Sequence, residues 1–108
     1  MKTLRDIQRE QKVWSEHNFG PHPAWQPLLG VAEECGELCH AVLKQEQGIR
    51  GTSDEHTEAM KDACADILIY LCDFASCKGI DLQSTLNKVW SQVSKRDWKK
   101  FPVDGLTQ

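Results

Sequence analysis

Apolar residues recur three and four positions apart in four stretches of this chain, strand-like alternation is absent, and the glycines and prolines fall between the stretches. The pattern predicts an all-α fold. A first helix starts at Thr3, with Asp6 three residues on to complete a capping pair, and runs to about His17 before "NFGPHPAWQP" breaks it. A second has Pro27 in its first turn and continues through "LLGVAEECGELCHAVLKQEQ" to Gly48. A third runs from near Ser53 to Gly79, and Asp81 caps a fourth through "LQSTLNKVWSQVSKRDWKK", which ends before Pro102.

Each stretch has an apolar face that is expected to form the core. On the second helix it is Leu28, Val31, Ala32, Cys35, Leu38, Cys39 and Val42. On the third it is Met60, Ala63, Cys64, Ile67, Leu68, Leu71, Phe74 and Ala75, and on the fourth Leu82, Leu86, Val89, Trp90 and Val93. With 108 residues, no repeat and no low-complexity tract, residues 1–108 read as one domain. A core of this size buries a modest share of the surface, so self-association is expected.

Charge narrows the partners. Thirteen basic and 16 acidic side chains are mixed along the chain for a net −3, which leaves no footprint for a nucleic-acid duplex. The absence of a long apolar run, and of a signal-peptide pattern in "MKTLRDIQREQK", predicts a cytosolic protein with no membrane partner. Five cysteines without a CxxC pair read as reduced, mostly core residues. Cys35, Cys39 and His40 share one helix, but the second ligand pair of a zinc site is missing.

The acids carry the chemistry. At about 100° per residue, Glu34 and Glu37 share a ledge of the second helix with the small residues Gly30 and Ala41, while Glu33 and His40 fall further toward solvent. On the third helix Asp62, Asp66 and Asp73 form a stripe opposite the core face, with Ile69 inside it and Tyr70 alongside. A solvated acidic face is the plain explanation. The apolar setting of Asp66 and the lack of any Lys or Arg between Asp62 and Asp73 argue for a cation supplied from outside. Glu34, Glu37, Asp62 and Asp66 offer oxygens only, which suits Mg²⁺, or Mn²⁺ as a substitute. A di-iron bundle requires a second Glu-x-x-His, and "ELCH" stands alone.

"EECGEL" (33–38), followed after a polar link by "DACADILIYL" (62–71), resembles the MazG-like nucleotide pyrophosphohydrolases of the all-α NTP pyrophosphatase superfamily, which includes dCTP pyrophosphatases and dimeric dUTPases. The likeness extends to a Trp-bearing first helix and to the basic, aromatic "SKRDWKKFP". It implies a four-helix MazG-like bundle that forms a homodimer or a dimer of dimers. It also implies a Mg²⁺-dependent cleavage of a nucleoside triphosphate to the monophosphate and pyrophosphate, in nucleotide-pool house-cleaning.

By the resemblance, Glu34 and Glu37 match the first acidic pair and Asp66 the aspartate of a second motif, E-x-x-D. Its glutamate position holds Ala63, and Asp62 is the substitute expected on the same helical face. Trp14 resembles the aromatic near the base, with a core anchor as the alternative, and Tyr70 is placed to meet sugar or base. Lys88, Lys95, Arg96, Lys99 and Lys100 are candidates to neutralise phosphate, and Asp97 stands where relatives often carry an Asn near the substrate. Glu33, or one of the ligands, is expected to orient the attacking water. Two rivals stand beside this reading: hydrolysis of phosphoribosyl-ATP, and a nucleotide-binding helical module without catalysis, to which Ala63 lends support.

Overall fold

The computed structural model describes residues 1–107, and three of its four helices start where a short polar side chain satisfies free backbone N–H groups. α1 spans Leu4–Phe19 behind a full capping box: Thr3 Oγ1 accepts from the Asp6 N–H at 3.1 Å and Asp6 Oδ2 accepts from the Thr3 N–H at 2.9 Å. α2 spans Trp25–Gln47, with Pro27 in its first turn, and stops at Gly48 in the left-handed conformation. α3 spans Ser53–Cys77 behind a second capping box, Thr52 with Glu55, and α4 spans Leu82–Val93 behind Asp81. The described residues contain helices and turns and no strand. No helix among them is long and apolar enough to cross a membrane.

α4 ends about two turns earlier than the pattern predicts. Asp97 competes for the backbone there, its Oδ1 accepting the N–H groups of Lys99 at 3.1 Å and Lys100 at 3.0 Å. The chain then folds back so that the Asp97 N–H donates to the Gly105 carbonyl at 2.8 Å. Gly105 fits because a Cβ at that position would lie 2.7 Å from the Cβ of Arg96.

α2 and α3 pack against each other most extensively, α1 lies on α3, and α4 touches α1. The buried positions of α2 and α3 are mostly small residues. Pro27, Gly30 and Ala41 are buried on α2, and Ala63, Cys72 and Ala75 on α3. The ring of Tyr70 lies over Gly30 so closely that an added Cβ would sit 2.3 Å from it. α1 is joined through polar groups: Gln8 donates to the Ile80 carbonyl at 2.8 Å and accepts from the Leu82 N–H at 3.1 Å. The guanidinium of Arg5 donates to Asp81 at 2.8 Å and to Ser84 at 2.8 Å, tying down the start of α4.

This arrangement corrects the expected core in part. Ala63 and Ala75 of the expected α3 face are buried, and Met60, Ile67, Leu71 and Phe74 of α3 and Val31 and Leu38 of α2 are half-buried, but much of the α2 and α4 stripes is left outside. Leu28, Ala32, Cys35, Cys39 and Val42 of α2 and Cys64 and Leu68 of α3 are exposed, and no residue of α4 is buried. Of the five cysteines only Cys72 is buried. The four helices therefore do not close into a bundle within one chain. The radius of gyration is 17.5 Å, where a compact chain of this length would have about 13 Å.

The aspartates of α3 do not share one environment either. Asp62 points to solvent, Asp66 is half-buried beside Glu34, and Asp73 is turned toward α1 and the loop before α2. A side chain's surroundings depend on which neighbouring helix passes it. The wheel alone places all three opposite the core.

Candidate active site

Three glutamates of α2 converge. One carboxylate oxygen from each of Glu33, Glu34 and Glu37 lies within 4.8 Å of the others. Helical spacing brings them together, since positions three and four apart share a face. Glu33, expected toward solvent, is exposed but belongs to this group.

Glu34 is the centre of the group. It is 7% exposed, and its Oε2 is buried without a hydrogen-bond partner. Burial pushes its carboxyl above the usual glutamate range, and the negative charges of Glu37, Asp66 and Glu33 push it further. Tyr70, half-buried over Gly30, has its hydroxyl pushed upward by burial and then by Glu33, Glu34 and Asp66. Among the described residues, the ion pairs are Lys2–Glu10, Arg5–Asp81, Glu58–Lys61 and His22–Asp73. None of them reaches these acids.

A buried carboxylate oxygen without a donor, crowded by three like charges, is costly unless a cation completes it. The donors are hard oxygens, so the group fits a divalent ion of the magnesium type rather than zinc. Glu34, Glu37 and Asp66 are the residues that would hold it, with the exposed Glu33 beside them. Asp62, proposed from the sequence as a fourth ligand, is exposed, and Ala63, in the place of the motif glutamate, is buried in the seam.

Beside Glu37 opens a cavity of about 490 Å³ whose walls include His40, Arg50 and His56. The sequence reading missed Arg50. It is the one described non-glycine residue with positive φ, 61°, in the short link before α3. His56, itself buried, braces that link by donating from Nε2 to the Ile49 carbonyl at 2.9 Å. The signal available in the sequence was a lone cation inside "GIRG", close after the acidic helix.

The other candidates divide. Trp14 is not a core anchor: it is 55% exposed, meets Phe19 edge-on at 5.7 Å, and with Ile69 lines a groove of about 360 Å³ between α1 and α3. Tyr70 is held in the seam next to the acids. Lys88, Lys95, Lys99 and Lys100 are exposed, and the chain does not pair them with the acidic group. Arg96 lies 5.7 Å from the Trp98 ring, and Asp97 is engaged in the turn after α4. These residues serve the terminal turn within one chain.

Asp73 has partners of its own. Its Oδ1 is 2.7 Å from His22 Nε2, and its Oδ2 accepts from Ser15 Oγ at 3.1 Å. His22 Nδ1 is 2.8 Å from the Gly20 carbonyl, so both ring nitrogens face acceptors. That carbonyl, followed by Asp73, holds the imidazole above its ordinary pKa.

Comparison with known proteins bears on the family. No curated protein matches the chain. The model of the MazG nucleotide pyrophosphohydrolase domain matches residues 26–101, a span that holds Glu33, Glu34, Glu37 and Asp66, and by that match the chain belongs to the MazG nucleotide pyrophosphohydrolase family.

Proposed function

We propose that the protein is a Mg²⁺-dependent nucleoside triphosphate pyrophosphohydrolase, converting a ribo- or deoxyribonucleoside triphosphate and water to the monophosphate and pyrophosphate. Mn²⁺ is expected to substitute. The observation that carries this reading is the buried, partnerless Oε2 of Glu34 amid Glu33, Glu37 and Asp66. Family membership supplies the reaction class.

Glu34, Glu37 and Asp66 would hold the cation, which would supply positive charge to the phosphates and acidify the attacking water. Glu33, the exposed member of the group, is free to take the proton from water as the α–β phosphoanhydride breaks and pyrophosphate leaves with the bonding electrons. Arg50 faces the same cavity as Glu37 and can meet the phosphate tail, as a guanidinium does well. Trp14, across the α1–α3 groove, offers a flat surface for a base.

The uncovered apolar faces and the open shape favour assembly as a homodimer or dimer of dimers, in which a neighbour's α4 could bring Lys88, Lys95, Arg96 and Asp97 to the acids. Sedimentation giving a monomer at micromolar concentration would remove that part. A cytosolic house-cleaning role, with residues 1–108 acting as one domain, completes the reading.

A panel of NTPs and dNTPs with Mg²⁺, assayed for pyrophosphate and monophosphate, tests it. Pyrophosphate from at least one nucleotide is expected. Orthophosphate and diphosphate, or no product at all, overturn it. Turnover of phosphoribosyl-ATP alone selects that substrate instead, and calorimetric binding without turnover selects the non-catalytic module.

A further inference from the structure

A second group of ligand-type side chains lies away from the acids, where the loop before α2 meets α3. His22 Nε2, Asp73 Oδ1 and Cys77 Sγ all fall within 4.8 Å of one another. We propose that these three residues form a metal site for a zinc-class cation, separate from the magnesium site, that clips the loop carrying His22 to α3.

The donor set is one nitrogen, one oxygen and one sulfur, which selects zinc-like ions over magnesium. Asp73 and Cys77 are four apart on α3 and so project from one face. His22 comes from the loop, held between Pro21 and Pro23. Its Nδ1 donates to the Gly20 carbonyl at 2.8 Å, the hydrogen bond that commonly orients a metal-binding imidazole with Nε2 turned to the ion.

The spacing is close to what a tetrahedral ion needs. Bonds of about 2.0–2.3 Å put ligand atoms about 3.3–3.5 Å apart. Cys77 Sγ to Asp73 Oδ1 is 3.7 Å, and His22 Nε2 to Asp73 Oδ1 is 2.7 Å, so the second pair opens by about 0.6 Å to admit an ion. A cavity of about 140 Å³, with Ser15 and Glu16 in its walls, leaves room for a fourth ligand, either water or the Glu16 carboxylate. Asp73 follows Asp66 by seven residues, about 10 Å along the helix, so the two sites do not share an ion.

On binding, the His22 Nε2 proton and the Cys77 thiol proton are released to solvent, and two new metal–ligand bonds join that to Asp73. Nothing is oxidised or reduced.

The test is to strip the full-length protein with chelator, add excess Mg²⁺, and titrate with Zn²⁺ alone and, in parallel, with Co²⁺. Expected are a zinc ion retained on dialysis and, with cobalt, a thiolate-to-metal charge-transfer band, which carboxylates cannot produce. Cys77→Ser, an exposed position, should remove the band and weaken zinc binding at least about tenfold with the helical circular dichroism unchanged. His22→Gln should weaken zinc binding similarly. Cys35→Ser with Cys39→Ser, and Glu37→Gln, should leave the band intact. No band in the unmodified protein overturns the proposal, as does a band that survives Cys77→Ser or follows Cys35 and Cys39.

Discussion

Glu34 and Asp73 are both acids set into helix interfaces of this small chain, and they are treated in opposite ways. Asp73 is met by His22 at 2.7 Å and by Ser15 at 3.1 Å, so each of its oxygens has a donor. Glu34 sits in the α2–α3 seam with Oε2 unpartnered and with Glu33, Glu37 and Asp66 around it. The first is a carboxylate the chain satisfies by itself. The second is left with like charges for neighbours, an arrangement that costs stability unless a ligand relieves it. Such local cost is expected where function, rather than folding, chose the residues.

The largest effect should come from removing the unsatisfied acids. Asp66→Ala or Glu37→Gln is expected to lower turnover by at least about 100-fold, read from pyrophosphate release at saturating Mg²⁺. Activity within a few-fold of the parent would place the chemistry elsewhere.

The two acids should also part company in stability. In chelator, Asp73→Asn is expected to cost about 2 kcal/mol, since it weakens charge-assisted hydrogen bonds, whereas Glu34→Gln should hold or raise the urea midpoint because it removes repulsion. Equal losses in both variants would erase the contrast.

Gly30→Ala probes the seam that holds the acids in place. The new methyl meets the Tyr70 ring at 2.3 Å, so the ring must move, and a loss of about 1–3 kcal/mol is expected in denaturant unfolding. A wild-type midpoint would mean that Tyr70 does not lie over Gly30.

The smallest effect belongs to Asp62. It is exposed, and Asp62→Ala should change stability by no more than about 0.5 kcal/mol and turnover far less than Asp66→Ala does. A loss of activity as deep as that of Asp66→Ala would restore Asp62 as a ligand in place of the missing glutamate at Ala63.

Much of the candidate site was legible before the fold was known. Glu34, Glu37 and Asp66 stand out because acids on apolar helix faces have few explanations, and the structure brings them together. Glu33 was placed too far from them, since an idealised wheel ignores how a long side chain bends back to its neighbour four residues on. Arg50 went unnoticed because a link between helices carries no periodic signal. His22 was equally silent, its meaning lying in an aspartate 51 residues away.

The helices were determined by the sequence alone. Thr3 with Asp6, Thr52 with Glu55, Asp81 and Gly48 act on backbone groups within a few residues, so their effect does not depend on the rest of the chain. Only the tertiary structure decided which faces are buried. The apolar stripes suggested a core, but Gly30, Ala41 and Ala63 allow a closer approach of α2 and α3 than leucines would. Glu34 is therefore buried with the small residues, while Leu28, Val42 and Leu68 and the α4 residues Leu86, Val89 and Trp90 are left exposed.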